Sequence, residues 1–348
     1  MRVVLDATPL TLSSGGLRRY TLELAQALAA AYPEDEYWLA SDQPFDPPPG
    51  LHVAAGPASG LERRWWAAGL PRRLRAIGAD VFHGTDFSVP YVPVSPAVIT
   101  LHDLSPWMNP AWHTGAERVR QRTPWLLRLG LASRVVTHSE AVRKQVVQEF
   151  HVPPERTAAV PLAAPAHWGP QRDQPAAKPY FLYCGTIEPR KNVTLLIDAW
   201  RAAGPQSADL VLAGRRRADG PEVPDLPGLR WLGEVEDAAL PALYSNALAF
   251  LYPSLYEGFG LPVLEAMQCG ACVVTSTDPA IGEVCGDAAI RLNPRDLRSW
   301  VEALQALVTR PEMAAPYRAA ALVRARQFSW ARTARLTHDV YADAIRDR

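Results

Sequence analysis

The sequence has no excess of charge of either sign, because 36 Lys and Arg residues balance 36 Asp and Glu residues. A chain without a net field does not attract nucleic acid as a whole, so we expect no nucleic-acid partner. No apolar run reaches the ~18 residues that cross a bilayer. The start "MRVVLDATPL" lacks the basic segment, apolar run and cleavage site of a signal peptide. We therefore expect a cytoplasmic protein, whose only membrane contact would be peripheral, at the inner membrane face.

Cysteine is also scarce, with only Cys184, Cys269, Cys272 and Cys285 in the chain. The stretch "CGAC" has the spacing of a redox motif, but it lies where an alanine-rich helix is predicted to end and a strand to begin. Small buried residues are typical of such a junction, so we favour packing over redox chemistry. Without a second Cys-x-x-Cys or nearby histidines, we expect no metal site.

Two domains are predicted, because 348 residues is about twice the usual length of a single domain. Short apolar runs alternate with amphipathic helical stretches, which is typical of parallel sheets covered by helices on both faces. The fold class is therefore α/β, with two doubly wound domains. The predicted bounds are 1–165 for the first domain, 166–179 for a Pro- and Ala-rich linker, 180–328 for the second domain and 329–348 for a final helix.

Residues that directly follow the predicted strands are candidates for ligand contact, because open parallel sheets bind ligands beyond the carboxyl ends of their strands. Each could be an ordinary strand-end residue, but their convergence on one edge favours a cleft. The candidates of the first half are Gly15, Gly16, His83, Asp86, His102, Asp103, His138 and Ser139, and those of the second half include Gly185, Thr186 and Val235.

The stretch "LYEGFGLPVLEAM" predicts a loop followed by a helix that begins near Pro262. The free N–H groups and positive dipole end of a helix start favour an anion such as phosphate. Glu265 lies about one turn into this helix. Its carboxylate either stabilises the helix start, by about 0.3–1 kcal/mol, or accepts hydrogen bonds from sugar hydroxyls. Glu257 precedes the helix, where no capping role explains it.

A second phosphate candidate is "YCGTIEPRKN", in which Arg190 and Lys191 precede a predicted helix. A guanidinium beside an ammonium suits a diphosphate. Lysine is rare in this chain, with three residues among the 36 basic ones, which singles out Lys191. The alternative is a solvated basic pair at the surface.

Together these stretches resemble the retaining glycosyltransferases of family 4. The spacing of Glu257 and Glu265 matches the Glu-x7-Glu motif of that family, and the similarity extends through "GGLRRY", "LHDLSP", "GTIEPRKN" and "LGEVEDAALPALYSNA". The resemblance implies the GT-B fold, in which two Rossmann-like domains face each other across a cleft and a C-terminal helix returns to the N-terminal domain. It implies acceptor binding by the first domain and nucleotide-sugar binding by the second.

The resemblance also implies a role for each motif residue. Lys191 and Arg190 resemble the cation site of the diphosphate leaving group, and Glu257 resembles the glutamate that faces the donor sugar. His102, with Asp103 beside it, resembles the active-site histidine near the transferred sugar. The donor-binding set would be Gly15, Gly16, Gly185, Thr186, Val235, Phe259, Gly260, Leu261 and the ribose-binding Glu265, and the acceptor-side candidates are His83, Asp86, His138 and Ser139.

Two departures from the family pattern concern the donor site and the hinge. Many relatives have Gly-Arg where this chain has Gly185 and Thr186, so one phosphate-binding guanidinium is missing, and Arg190 is a candidate substitute. Relatives often have Asn-Gly where this chain has Ala163 and Ala164 after Leu162. This second departure affects the contacts expected near the hinge.

The resemblance implies transfer of a sugar, with mannose favoured, from a nucleoside diphosphate sugar to a hydroxyl of a glycan or lipid-linked acceptor. Retention at the anomeric carbon is expected, without a metal or other cofactor. The alternatives are a glycoside hydrolase that uses Glu257 and Glu265 as its carboxylate pair, and a nucleotide-sugar-binding protein without catalysis. A nicotinamide-dependent dehydrogenase is disfavoured, because the first strand is not followed by Gly-x-Gly-x-x-Gly.

Residues 60–78, "GLERRWWAAGLPRRLRAIG", combine five arginines with Trp65 and Trp66. Arg-rich amphipathic segments with aromatic residues can lie on anionic membranes. The alternative is a solvated helix whose tryptophans pack on the sheet. A second basic run in the same domain contains Arg118, Arg120, Arg122 and Arg128.

Overall fold

The computed structural model describes residues 1–113, 115–172, 178–204 and 207–347. The chain forms two compact units. Unit 1 contains Met1–Leu162 and Ser329–Arg348, and unit 2 contains Ala163–Phe328. Part of the predicted linker 166–179, residues 173–177, lies outside the described residues.

Unit 1 is built on a seven-stranded sheet in which every pair of neighbouring strands is parallel, with the order β3-β2-β1-β4-β5-β6-β7. Its strands are β1 (Arg2–Asp6), β2 (Glu36–Ala40), β3 (His52–Val53), β4 (Val81–Gly84), β5 (Ala97–Thr100), β6 (Arg134–Thr137) and β7 (Thr157–Ala159). Its helices within residues 1–162 are α1 (Gly16–Ala31), α2 (Leu70–Ile77), α3 (Ser105–Met108), α4 (Glu117–Arg128) and α5 (Glu140–Phe150), with a π-helical turn at Trp65–Gly69.

Unit 2 contains a six-stranded parallel sheet with the order β10-β9-β8-β11-β12-β13. Its strands are β8 (Tyr180–Cys184), β9 (Asp209–Ala213), β10 (Leu229–Gly233), β11 (Ala249–Tyr252), β12 (Val273–Ser276) and β13 (Ile290–Leu292). Its helices are α6 (Val193–Ala203), α7 (Leu240–Asn246), α8 (Leu261–Gln268), α9 (Pro279–Cys285), α10 (Leu297–Thr309) and α11 (Ala314–Ala325), with a 3-10 turn at Pro189–Lys191.

The last helix, α12 (Trp330–Arg346), packs on unit 1. Hydrogen bonds from several of its residues attach it, among them the following three. The Tyr341 hydroxyl lies 2.7 Å from His83 Nδ1, Thr333 Oγ1 donates to the Pro161 carbonyl at 2.7 Å, and His338 Nε2 lies 3.0 Å from an Asp35 carboxylate oxygen. The core of unit 1 is therefore completed by the end of the chain.

Both sheets reverse their strand order next to the first strand of the unit, as doubly wound folds do. The prediction of two doubly wound parallel sheets is confirmed. Their central strands read as continuous apolar runs because both faces are buried; Val3, Val4 and Leu5 of β1 are fully inaccessible to solvent. The short edge strands β3 and β7 were not predicted, because neither contains an apolar run of useful length.

The tryptophans of residues 60–78 pack inside unit 1. Trp65 is only 3% exposed, and the Trp66 ring lies edge-on to Phe82 of β4 with 6.4 Å between centroids. This is the arrangement expected of the packed alternative. No helix among the described residues has both the length and the apolar character needed to span a bilayer.

Candidate active site

In unit 2, the motif that contains Glu257 and Glu265 spans the loop after β11 and the first turns of α8. The helix begins at Leu261, one residue before the predicted Pro262, and Gly260 supplies the left-handed backbone conformation of its N-cap with φ of 95°. Within the part of the chain that the structure describes, the N–H groups of Phe259, Gly260 and Leu261 have no hydrogen-bond acceptor. These three amides are therefore available to an anion at the helix start.

Glu257 is almost completely buried, with 6% of its surface exposed. Its Oε1 lies 2.5 Å from the Lys191 Nζ and accepts a hydrogen bond from the Ser254 hydroxyl at 2.5 Å, while its Oε2 lies 3.2 Å from Arg190 Nη1. Burial alone would raise the pKa of this carboxyl, but the two cations and the hydrogen bonds outweigh it and lower the pKa to about 2. Glu257 is thus ionised throughout the neutral range.

Lys191 and Arg190 face Glu257 from the 3-10 turn that follows β8. The Lys191 ammonium also donates to the Tyr252 hydroxyl at 2.6 Å, and burial lowers its pKa although Glu257 partly offsets that effect. The Arg190 guanidinium donates to the Tyr256 carbonyl at 2.7 Å. Both residues are buried, with less than a tenth of their surface exposed. The pair is therefore an element of a buried ionic cluster, and the alternative of a solvated basic pair is wrong.

Glu188 and Arg217 extend this cluster, and neither was singled out from the sequence. Glu188 is 6% exposed; its Oε1 lies 2.9 Å from Arg190 Nη2, and its Oε2 lies 2.7 Å from Arg217 Nη1. Arg217 also pairs with Asp219. The sequence did contain a signal, because Glu188 adjoins the "PRKN" stretch and Arg217 follows the next strand. Their contact with each other could be recognised only from the fold.

The N–H of Glu257 donates to Asp278 at the start of α9, with 3.2 Å to Oδ2. Asp278 caps α9 by accepting the Ile281 N–H at 3.1 Å. Burial raises the pKa of this carboxyl to about 6, and the nearby Glu257 charge adds to the effect. Asp278 therefore joins α9 to the loop that carries Glu257.

Glu265, unlike Glu257, lies within α8. It is 3% exposed, and its Oε2 accepts a hydrogen bond from the Tyr244 hydroxyl of α7 at 3.1 Å. Glu265 thus contacts α7, whereas Glu257 contacts the two cations of the turn after β8. The ribose-binding role of Glu265 stays a prediction.

The remaining donor-site candidates of unit 2 follow β8 and β10. Gly185 and Thr186 continue directly from β8, and the Thr186 carbonyl accepts a hydrogen bond from the Tyr183 hydroxyl at 2.9 Å. Val235 is half-buried after β10. The end of β9 approaches Gly185 so closely that a Cβ on Gly214 would lie 2.1 Å from the Gly185 carbonyl oxygen. Only glycine fits this position.

In unit 1, His102 follows β5 and His138 follows β6. His102 Nε2 lies 2.8 Å from the Thr85 carbonyl, and its Nδ1 lies 2.9 Å from His138 Nε2. Burial lowers the pKa of His138 well below its ordinary value, and the second ring nitrogen of His138 lies 3.3 Å from the Val160 carbonyl. The two predicted histidines are therefore one hydrogen-bonded pair, and the His102 ring contacts a partner through both nitrogens.

Two acceptor-side candidates have structural tasks. His83 is fully buried, with Nδ1 2.7 Å from the Tyr341 hydroxyl and Nε2 2.8 Å from Thr100 Oγ1. Burial lowers its pKa to about 3, so it is a neutral residue in the core of unit 1. The acceptor-side role of His83 stays a prediction. The Ser139 hydroxyl caps α5 by accepting the Val142 N–H at 3.2 Å.

Asp86, which follows β4, and Asp103, which follows β5, differ in environment. Asp103 accepts hydrogen bonds from the Ser105 N–H at 2.8 Å and the Ser105 hydroxyl at 2.5 Å, which fixes the start of α3. Burial raises the pKa of Asp86, and the nearby His102 and Arg122 side chains oppose that rise. Asp86 therefore lies within the electrostatic reach of His102.

Gly15 and Gly16, predicted as a donor-binding loop after the first strand, occupy the start of α1. Neither glycine has another atom within 4 Å of the position where a Cβ would be built, so the backbone is open to approach. Among the described residues, no group of three or more His, Cys, Asp or Glu side chains could hold a metal ion.

Comparison with known proteins places these features in a family. A model described as Glycosyltransferase Family 4 matches residues 14–166, and one described as Glycosyl transferases group 1 matches residues 178–310. The O-antigen chain mannosyltransferase B of Escherichia coli is 31% identical over a 384-residue alignment that covers 98% of this chain and 99% of that protein. The chain belongs to glycosyltransferase family 4.

A second relative of this family 4 glycosyltransferase is also named as a mannosyltransferase. The O-antigen chain mannosyltransferase RfbU of Salmonella typhimurium is 28% identical and covers 62% of this chain and 61% of its own length. Two solved structures share the fold: sucrose-phosphate synthase from Thermosynechococcus elongatus, with a TM-score of 0.73 at 20% identity, and Anabaena HepE in complex with UDP-glucose, with a TM-score of 0.73 at 16% identity. Both alignments cover 100% of each chain. The GT-B fold class is thereby confirmed.

Proposed function

We propose that this glycosyltransferase moves a mannosyl residue from a nucleoside diphosphate mannose, with GDP-mannose favoured, to a hydroxyl of a glycan or lipid-linked acceptor, with retention at the anomeric carbon. The named activities of the Escherichia coli and Salmonella relatives support mannose as the transferred sugar. Retention and independence of a metal rest on the resemblance to family 4.

One observation of unit 2 carries the proposal. Two buried cations, Lys191 and Arg190, occupy the loop after β8, and α8 after the neighbouring strand β11 offers open amides at its start. In the reaction, the bond between the anomeric carbon and the diphosphate oxygen breaks, and its electron pair stays on the diphosphate. The acceptor oxygen bonds to the carbon, and its proton passes to the leaving diphosphate. Fixed positive charge near the leaving group stabilises the transition state.

The ionic cluster also explains how two cations are stable in a buried position. Glu257 and Glu188 neutralise them, which limits the desolvation cost of burying charge. An arriving diphosphate brings the negative charge that the glutamates otherwise supply. The diphosphate of the donor therefore replaces Glu257 and Glu188 as the partner of the two cations. The charge of the cations is then balanced without a metal ion.

The same geometry limits the hydrolase alternative, because it excludes Glu257 as the proton donor and leaves that role to Glu265. A glycoside hydrolase needs one carboxyl group that stays protonated long enough to act as an acid. The pKa of Glu257 is lowered to about 2, and its carboxylate is engaged by Lys191 and Arg190. We therefore retain the transferase and treat hydrolysis as an outcome of the assay.

The assay uses the full chain with GDP-mannose, UDP-glucose and dTDP-glucose, with and without synthetic α-mannoside acceptors, in EDTA. We expect a product one hexose larger from GDP-mannose, with an α-linkage by NMR, and undiminished turnover in EDTA. Release of free mannose at equal rates with and without acceptor would establish a hydrolase. Donor binding without turnover against any acceptor would establish a binding protein.

Peripheral membrane contact of residues 60–78 is a separate proposal. Trp65 is buried, so the contact would depend on the exposed arginines Arg63, Arg64 and Arg75. Cosedimentation with anionic vesicles at low salt tests it, and absence of binding there rejects it.

A further inference from the structure

Unit 1 contains a cavity of about 660 Å³ at the carboxyl ends of β2 and β3, the two neighbouring strands at one edge of its sheet. Ser41 directly follows β2, and Ala54 directly follows β3, so both strands end at the wall of the cavity. Open parallel sheets bind ligands at this edge. The volume lies within the ~300–1,000 Å³ that is typical of small-molecule sites.

Three polar side chains that line the cavity make no hydrogen bond or ion pair with any residue the structure describes. They are Asp42, Gln43 and Arg63. The half-buried ring of Phe45 and the exposed side chain of Val53 add apolar surface to the same wall. The lining thus combines one carboxylate, one amide, one guanidinium and an aromatic face.

This combination fits an uncharged polyol better than a phosphate or an alkyl chain. The charges of Asp42 and Arg63 cancel, so a phosphorylated ligand would gain little net attraction. An alkyl chain would bury polar groups without hydrogen bonds, which is unfavourable. Sugar hydroxyls both donate to a carboxylate and accept from a guanidinium, while the C–H face of a pyranose ring packs on an aromatic ring.

The wall that carries Arg63 is held in place by buried ionic contacts. Glu62 is 7% exposed and accepts from the Ala58 N–H at 2.8 Å and from Arg73 Nη2 at 2.9 Å. Arg73 also donates to the Ala55 carbonyl at 2.8 Å and the Gly56 carbonyl at 2.9 Å. The basic residues of segment 60–78 therefore build a preorganised wall, which reduces the ordering cost of binding.

The position of the cavity relates it to His102 through the sheet. β2 and β5 belong to one parallel sheet and are separated by β1 and β4, which is three strand spacings. At ~4.8 Å per spacing, their carboxyl ends are about 14 Å apart. A saccharide whose reacting end lies near His102 would therefore reach the cavity with residues further back along its chain.

We propose that this cavity is a distal acceptor subsite, which binds the saccharide residues behind the reacting hydroxyl. The inference rests on the proposed mannosyl transfer for the identity of its ligand, a neutral mannose oligosaccharide. It gives the enzyme a preference for acceptors of several sugars over a single sugar, because only the longer chains contact Phe45 and Arg63.

Direct binding tests the subsite without the reaction. Saturation-transfer NMR on the full chain, with mannotriose and no donor, should show binding to the wild type. Phe45→Ala and Arg63→Ala should each raise the Kd at least fivefold, whereas Arg64→Ala, an exposed neighbour outside the cavity lining, should leave it unchanged. Thermal unfolding confirms that each variant is folded. No binding of mannotriose to the wild type, or an equal Kd in Phe45→Ala, would overturn the proposal.

A kinetic measurement separates the subsite from the proposed function. The ratio of kcat/KM for a trisaccharide acceptor to that for a monosaccharide acceptor should exceed one in the wild type and in Arg64→Ala, and should fall towards one in Phe45→Ala. Mannosyl transfer with no dependence on chain length in the wild type rejects the subsite and leaves the function intact. Mannotriose binding that Phe45→Ala abolishes, in a protein without transfer, rejects the function and leaves the subsite intact.

Discussion

The Nδ1 of His102 and the Nε2 of His138 share one hydrogen bond of 2.9 Å, although the residues are 36 positions apart. The other nitrogen of His102 lies 2.8 Å from the Thr85 carbonyl, which can only accept, so that nitrogen carries a proton. In a neutral ring Nδ1 then accepts from His138. The Val160 carbonyl also only accepts, so its 3.3 Å contact with His138 Nδ1 is a hydrogen bond only when the His138 ring carries a proton on both nitrogens.

The first prediction is therefore a protonation pattern. At pH 7.5, ¹⁵N NMR of the full chain should show His102 and His138 both as the Nε2–H tautomer. His138→Phe removes the donor to His102 and should release that tautomer preference, whereas His151→Phe, at the exposed end of α5, should not. A His102 ring protonated only on Nδ1 would contradict the hydrogen-bond assignment.

The second prediction concerns the cations of unit 2. Lys191→Ala should lower kcat/KM at least tenfold, because loss of one group that stabilises leaving-group charge typically costs about 2.7–4 kcal/mol in the transition state. Lys144→Ala, at an exposed position on α5, is the matched control and should retain full activity. Steady-state kinetics with saturating acceptor measure both variants, and wild-type rates in Lys191→Ala would remove this residue from the active site.

The third prediction concerns Glu257 as an internal counter-anion. Glu257→Gln leaves Lys191 without its carboxylate and should destabilise unit 2 by about 3–5 kcal/mol, as breaking a buried ion pair does. Inorganic diphosphate should then raise the unfolding temperature of Glu257→Gln more than that of the wild type, because the anion replaces the lost charge.

The control for this experiment is Glu302→Gln. Glu302 pairs with Arg298 at the surface of α10, with 60% of its side chain exposed, and a pair of this kind contributes roughly 0–1 kcal/mol. Equal stabilisation of wild type and Glu257→Gln by diphosphate would show that the anion does not bind the cations that Glu257 neutralises.

The fourth prediction is a pH dependence. Burial raises the pKa of Asp6, at the end of β1, from 3.8 to about 7. A raised carboxyl pKa favours the folded state at low pH, and this contribution is lost as the pH rises from about 4 to about 7. Asp6→Asn removes the titration, and its side-chain oxygen can still accept from the Thr8 N–H and hydroxyl.

The stability of Asp6→Asn relative to the wild type should therefore increase between pH 4.5 and pH 8, by roughly 2–4 kcal/mol. Urea unfolding monitored by a probe in unit 1 measures this difference. His52→Gln, at an exposed site, should show no such change. A relative stability that is independent of pH would mean that Asp6 titrates normally.

The sequence predicted the central strands because they are short apolar runs buried on both faces, and it placed the start of α8 within one residue. It did not predict the partners of charged groups. Lys191 and Glu257 are 66 positions apart, and nothing in the local pattern of either residue indicates that they bond. The core contact of His83 was missed for the same reason, because its partner Tyr341 lies 258 positions later in the chain.

The contact between His83 and Tyr341 has a consequence for the order of folding. Synthesis delivers residues 1–162 first, yet unit 1 needs α12 to complete its core and to satisfy the buried His83 ring. Unit 2 lies between these two segments and has all of its residues when position 328 emerges. Unit 1 can therefore complete its core only after the residues of unit 2 have been synthesised, because α12 follows them in the chain.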